Sequence, residues 1–205
     1  MYFKSGTDIV IASHNQGKVK EIRALLAHFP VTISCAGDYG LTDPEETETT
    51  FEGNALLKAR FVAQQTGKIA LADDSGLSVD ALDGQPGIYS ARWAGEHKDF
   101  TYAMERVHQE WLAKNTENKI ARFFCALAWV DPVQALEKVF LGQIKGTLTF
   151  PPRGNQGFGY DPLFTLEGMN QTFAEIDPTH KHSISHRADA FRQLVDFLHH
   201  PLTNK

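Results

Sequence analysis

Two adjacent aspartates, Asp73 and Asp74, follow the apolar run Ile69–Ala72 and precede the stretch "SGLSVDALDGQPG". Neighbouring carboxylates repel, so a chain that places them together at a predicted strand end needs something positive beside them. Mg2+ suits such a place: it accepts few protein carboxylates, keeps several waters and shares its coordination with phosphates. Glu45 and Glu46, in the acidic stretch "DYGLTDPEETETT", are further hard-oxygen donors. A carboxylate beside such a metal can also orient or deprotonate an attacking water. The plain structural use of "DDSG" is a turn or a helix cap. Both uses are compatible, with Asp73 structural and Asp74 catalytic.

Four other stretches carry chemistry. In "SHNQGK", Ser13 to Lys18, a loop at the carboxyl end of a strand feeds a helix, where backbone amides and the helix dipole favour a phosphate. It is not a Walker A loop, because Ala12 stands where that motif needs glycine and Val19 where it needs Ser or Thr. A capped connecting loop is the alternative. In "FEGNALLKAR", Asn54 and Lys58 share one helix face and can hold a phosphate or a neighbouring carboxylate, or form a solvated polar face. In "GFGYDPLF", Gly157 and Gly159 bracket Phe158 and leave its ring accessible as a platform for a flat base, or as a core aromatic in a tight turn. In "KHSISHRADAF", Lys181, His186 and Arg187 gather near the start of the last helix, where positive charge opposes the helix dipole unless an anion or polarised carbonyl meets it.

The elements that must position these groups are legible as periodicities. "DIVIAS", Asp8 to Ser13, reads as a buried strand; Val19, Ile22, Leu25 and Leu26 recur at helical spacing before Pro30; "VTISCA" reads as a second strand. Strand, helix and strand in that order predict a parallel crossover. A threonine-capped helix is expected over Phe51–Gln65, ended by Gly67, and then a strand over Ile69–Ala72. Asp83 to Gly95 reads as a loop and Tyr102 to Lys114 as a helix. "KIARFFCALAWV" and "EKVFLGQIKGTLTF" predict antiparallel strands around "DPVQAL", and a final helix runs from His186 to about His200. The class is α/β: a mixed β-sheet flanked by helices, in one domain (1–205) of two lobes with a cleft between them.

The chain has 205 residues, 42% hydrophobic and 22% charged, as in ordinary globular proteins. Twenty basic against twenty-five acidic residues leave a net charge of −5, so an anionic ligand must be met by a local positive cluster. Neither a nucleic-acid nor a membrane partner is expected. Cys35 and Cys125 read as free thiols, and "MYFKSGTDIVIAS" lacks the core of a signal peptide, so a cytoplasmic setting is expected.

In order, "SHNQGK", "FEGNALLKAR", "ADDSGLSVDALDGQPGIYSARWAG", "GFGYDP" and "SHR" resemble the inosine triphosphate pyrophosphatase family from Ile9 to about Leu198. The resemblance implies a long mixed sheet in two lobes around a substrate cleft, a homodimer, and Mg2+-dependent hydrolysis of ITP, dITP and XTP to monophosphate and pyrophosphate. It implies that Ser13, His14, Asn15, Gln16, Gly17 and Lys18 bind the triphosphate, with Lys58 beside them. Asp74 would be general base and metal ligand, Glu45 a second metal ligand, and Ser75 a substrate contact. Phe158, Gly159, Tyr160 and Asp161 would hold the nucleoside, with Lys181, His186 and Arg187. Arg187 or a backbone amide would meet the six-oxo group that separates these bases from adenine. The chain departs from the family at His14, where glycine is frequent, at His182, where a small or polar residue is common, and at Gly53, where glutamate is frequent, so that an acidic role there passes to Glu52 or is absent. A Maf-type pyrophosphatase with other base preference and a non-catalytic nucleotide sensor are the competing readings.

Overall fold

The computed structural model describes residues 6–199, so His200 and residues 1–5 of the opening segment lie outside the described residues. The elements are β1 (Thr7–Ile11), α1 (Gln16–Leu26), β2 (Val31–Cys35), α2 (Phe51–Thr66), β3 (Ile69–Val79), α3 (Ser90–Trp93), α4 (Phe100–Ala113), β4 (Ile120–Asp131), β5 (Leu136–Leu148), β6 (Phe164–Leu166), α5 (Pro178–Ile184) and α6 (His186–His199). They build a mixed sheet of order β2-β1-β3-β4-β5-β6. β1 pairs in parallel with both β2 and β3, as the strand–helix–strand order predicts. β4 and β5 are neighbours joined by residues 132–135, a connection that only an antiparallel pair permits. β6 pairs antiparallel with β5.

The main departure from expectation is β3. The predicted strand stops at Ala72, because aspartate and glycine are depleted in strands. The observed strand continues through Asp73, Asp74 and Gly76 to Val79, so the two acids lie inside a strand rather than at its end. The loop expected over Asp83–Gly95 contains the short α3, and α5 and β6 were not expected at all; each is too brief to leave a period in the sequence.

The chain forms two compact units. The first takes the residues up to Asp74, Cys125–Gly142 and those from Arg187 on; the second takes Ser75–Phe124 and Gln143–His186. In the first, strand alternation sorts the core into two layers. Ile9, Ile11, Leu71, Cys125, Leu127 and Trp129 face α1 and α6, packing on Ile22, Leu26, Phe191 and Leu194. Val10, Ala12, Ala70, Ala72, Ala126 and Ala128 face α2, which meets them with Ala55, Ala59, Val62 and Ala63. This second layer is nearly all alanine, so α2 lies close to the sheet. Thr50 caps α2 by accepting the Gly53 amide at 3.0 Å, and Gly67 closes it with a left-handed φ of 67°.

In the second unit, Phe123, Phe164 and Phe173 pack with Leu77, Val79, Trp93 and Val107. Gly76 lies one residue into this unit. The Ser90 hydroxyl accepts the Leu77 amide at 2.9 Å and donates to the Gly87 carbonyl at 2.7 Å, pinning the turn onto β3. A Cβ at Gly76 would stand 2.5 Å from the Gly87 oxygen and closer still to the Ser90 hydroxyl. Gly76→Ala is therefore expected to destabilise the protein by about 1–3 kcal/mol, as overpacking of a tight contact does. Urea denaturation reads this directly, and an unchanged midpoint would contradict the packing.

Candidate active site

Asp73 and Asp74 are consecutive in β3, so their side chains leave opposite faces of the sheet. Asp73 falls on the face of Leu71 and Cys125, toward α1 and α6; Asp74 falls on the face of Ala70 and Ala72, toward α2. The repulsion that draws attention to the pair is thereby relieved, and each carboxylate has its own directly paired cations, Lys18 and Arg187 for Asp73 and Lys58 for Asp74.

Asp73 is 1% exposed. Its Oδ1 meets Lys18 Nζ at 2.8 Å, while Oδ2 accepts Arg187 Nε at 2.7 Å and Cys125 Sγ at 3.0 Å. The same guanidinium pairs with Glu21 of α1. Burial pushes the Asp73 carboxyl up, but the charges of Arg187 and Lys18 outweigh it and hold it well below the usual carboxylate range. Burial also works against the Arg187 charge, and Asp73 and Glu21 reverse that, keeping the guanidinium firmly ionised. Burial, with the Asp73 charge added, lifts the Cys125 thiol well above its ordinary value, so it serves as a neutral donor. Two carboxylates and two cations here form a closed ionic cluster. Arg187, itself 1% exposed, is part of that cluster.

Asp74 is 5% exposed. Its Oδ1 accepts from Lys58 Nζ at 2.8 Å, and the same ammonium lies 2.8 Å from Glu46 Oε1. Among the described residues the buried Oδ2 has no hydrogen-bond partner. Burial raises the Asp74 carboxyl above its ordinary value; Lys58 and Lys18 pull it down, and the Glu46 charge adds to the rise. Of the two uses open to Lys58, the structure places it on carboxylates. The acidic residue brought to it is Glu46, whereas Glu45 is exposed. Asn54 has a different task from anion binding: its side-chain oxygen accepts the Glu48 amide at 3.0 Å and its nitrogen donates to the Glu48 carbonyl at 3.3 Å. That clamp ties the acidic stretch to α2. A Cβ at Gly53 would lie 2.7 Å from Glu48 Cβ, so Glu48 packs over the position whose acidic role was expected to be absent or to pass to Glu52.

The Ser13–Lys18 segment enters α1 as predicted. Asn15 is the cap, accepting the Lys18 amide at 3.2 Å while its own amide donates to the Ser13 hydroxyl at 3.2 Å. The first-turn amides of Gln16 and Gly17 have no acceptor within the helix and are the natural anion donors. His14 Nδ1 lies 2.7 Å from Asp43 Oδ1, joining this segment to the acidic stretch.

In the second unit, Ser75 follows Asp74 in β3 and is half-buried. Gly157 and Gly159 adopt left-handed φ values of 72° and 66° around a half-buried Phe158. Asp161 accepts the Phe158 amide at 2.8 Å and Lys181 Nζ at 2.5 Å, and the ammonium sits 4.7 Å from the Phe158 ring centre. Tyr160 is enclosed, its hydroxyl donating to the Ser90 carbonyl at 2.9 Å. Its side chain is thus part of the core. His186 stacks on Phe123 with ring centres 4.9 Å apart. The positive charges near the start of α6 are met by resident carboxylates, Asp161 for Lys181 and Asp73 with Glu21 for Arg187, so no incoming anion is needed to balance them.

The resident partners left different traces in the sequence. Glu21 lies between buried Val19 and Ile22, and its partner Arg187 is 166 positions away, so no local pattern announces it. Cys125 reads as an apolar strand residue. Glu46 and Glu45 are indistinguishable until the fold brings one of them to Lys58.

A family model described as the Ham1 family matches residues 9–197. A dITP/XTP pyrophosphatase of Rhodospirillum centenum is 60% identical over 93% of this chain and 94% of its own. One of Zymomonas mobilis is 55% identical over 91% and 90%. Among solved structures, a HAM1 protein from Coxiella burnetii has a TM-score of 0.86 at 37% identity, covering 94% of this chain and 98% of that one.

Removing one member of the ionic cluster leaves buried charge uncompensated. Arg187→Ala is expected to lose about 3–5 kcal/mol of stability, measured by urea denaturation at neutral pH. Asp73 has a folded pKa below its unfolded value, so its contribution is complete above about pH 3.9 and is lost as pH falls toward the depressed value. Wild type should therefore weaken more steeply below about pH 4 than Asp73→Asn does. Parallel slopes would contradict the depressed carboxyl.

Proposed function

Because the chain belongs to the Ham1 family, we propose that it is a nucleoside triphosphate pyrophosphatase. It converts the deaminated purine nucleotides dITP, ITP and XTP to their monophosphates and pyrophosphate. The observation that carries the mechanism is the Glu46–Lys58–Asp74 arrangement, with one Asp74 oxygen on Lys58 and the other buried and without a partner among the described residues. The reading also includes a homodimer working in the cytoplasm, and among the described residues no helix is long and apolar enough to cross a membrane.

The donors fit Mg2+. Asp74 Oδ2 is an orphaned hard oxygen and Glu46 supplies a second carboxylate, while no group of three His, Cys, Asp or Glu converges among the described residues. Two carboxylates with phosphate and water oxygens completing the shell are what this ion takes. On this reading Glu46 replaces Glu45 as the second ligand, since Glu46 is the one beside Lys58. When bound, the ion neutralises charge on the bridging phosphates.

The chain's own residues do the rest. Asn15 shapes the α1 entry so that the Gln16 and Gly17 amides, with Ser13, His14 and Lys18, receive the phosphates. Asp73 fixes the Lys18 ammonium. Asp74 orients a water toward the α-phosphorus and accepts its proton; the new P–O bond forms as the bond to the β-phosphate oxygen breaks, and pyrophosphate leaves. Lys18 and Lys58 stabilise charge in the transition state. Phe158, held by Asp161 and backed by Lys181, offers a face to the base. Arg187 or a backbone amide meets the six-oxo acceptor of the base, and an adenine amino group placed there leaves a donor unpaired.

Asp74→Asn should lower kcat by at least about a hundredfold with the fold intact, monitored by pyrophosphate release and by circular dichroism. Incubation with dITP, ITP, XTP, dTTP and ATP in Mg2+ should release pyrophosphate from the first three only. Orthophosphate as product, preference for dTTP, or binding without turnover would each overturn the assignment.

A further inference from the structure

Lys58 occupies the place where a cation belongs. Its ammonium lies 2.8 Å from Glu46 Oε1 and 2.8 Å from Asp74 Oδ1, and its side chain is 8% exposed. Burial in a low-dielectric setting strengthens the attraction to both acids. The two carboxylates therefore already carry a resident positive charge, and Lys18 stands on the neighbouring Asp73. No third His, Cys, Asp or Glu converges here among the described residues. A free divalent ion would meet two carboxylates with one buried ammonium between them, and no third His, Cys, Asp or Glu among the described residues. A metal–triphosphate complex meets different terms, because it brings its own oxygen ligands and a net negative charge that Lys58 and Lys18 attract.

We propose that Lys58 is a resident counter-ion that keeps Glu46 and Asp74 from binding a free divalent cation, so that the metal enters the site as its complex with the nucleotide. This rests on the reading that Glu46 and Asp74 are the metal ligands. Lys58 is thus a positioning residue as well as a phosphate partner. It holds two mutually repelling carboxylates at a fixed spacing and leaves Asp74 Oδ2 as the open oxygen. On arrival of the complex, one ammonium hydrogen-bond pair is exchanged for metal coordination and phosphate contact.

The test uses the full chain without nucleotide, titrated with Mn2+ alone and followed by the electron paramagnetic resonance signal of the free ion. Wild type should bind Mn2+ no better than Asp74→Asn. Lys58→Gln should bind one ion at least about tenfold more tightly than wild type, and Lys58→Arg, which keeps the charge, should stay weak. Tight one-site binding by wild type that Asp74→Asn abolishes overturns the proposal, and so does a Lys58→Gln variant no tighter than wild type. The metal-ligand reading fails separately, if adding Glu46→Gln to Lys58→Gln leaves the gained affinity untouched. Should Lys58→Gln not fold, the comparison of wild type with Asp74→Asn still decides.

Discussion

Consecutive residues in a strand point to opposite faces, and this constraint organises the candidate site. Asp73 and Asp74 are neighbours in sequence but inhabit separate electrostatic surroundings, one under α1 and α6 and the other under α2. The chain can therefore give two identical side chains opposite properties. Asp73 is held ionised by two cations, whereas burial and the nearby Glu46 make Asp74 easier to protonate than an ordinary carboxylate. Separation of paired acids by environment is a general way to divide structural from chemical work.

The cluster around Asp73 explains why a buried arginine is tolerated beside the site. Transfer of a guanidinium from water is costly unless its charge and hydrogen bonds are met. Asp73 and Glu21 meet both, and the Cys125 thiol occupies the remaining direction on Asp73 Oδ2. The arrangement also links α1 and α6 to the strand that carries Asp74. Lys18 enters it from the first turn of α1, so the helix that offers amides to an anion is anchored by the same carboxylate.

Much of the scaffold was legible in the sequence because it rests on local rules. The β1–α1–β2 crossover followed from apolar spacing, and α2 from its threonine cap and closing glycine, with ends within a residue of those observed. Asp74, Lys18 and Lys58 were visible as chemistry from residue type. What could not be read was partnership. The strand propensity of two aspartates is poor, and only cations arriving from α1, α2 and α6 let β3 run on. Arg187 and Tyr160 carry functional-looking side chains, yet long-range pairing encloses both. Asn54 and Glu48 are six positions apart, and their clamp follows from an irregular segment that has no periodicity to betray it.

The alanine layer under α2 has a consequence for how this family can vary. Ala12, Ala70, Ala72, Ala126 and Ala128 set the standoff between helix and sheet, and that standoff is also the distance from the α2 backbone to the acid that Lys58 reaches. A bulkier residue anywhere in the layer acts as a shim, tilting the helix and lengthening the reach at its far side. Drift in these unremarkable positions is thus geared to the spacing of the charged trio, and single methyl groups act as its gauge blocks.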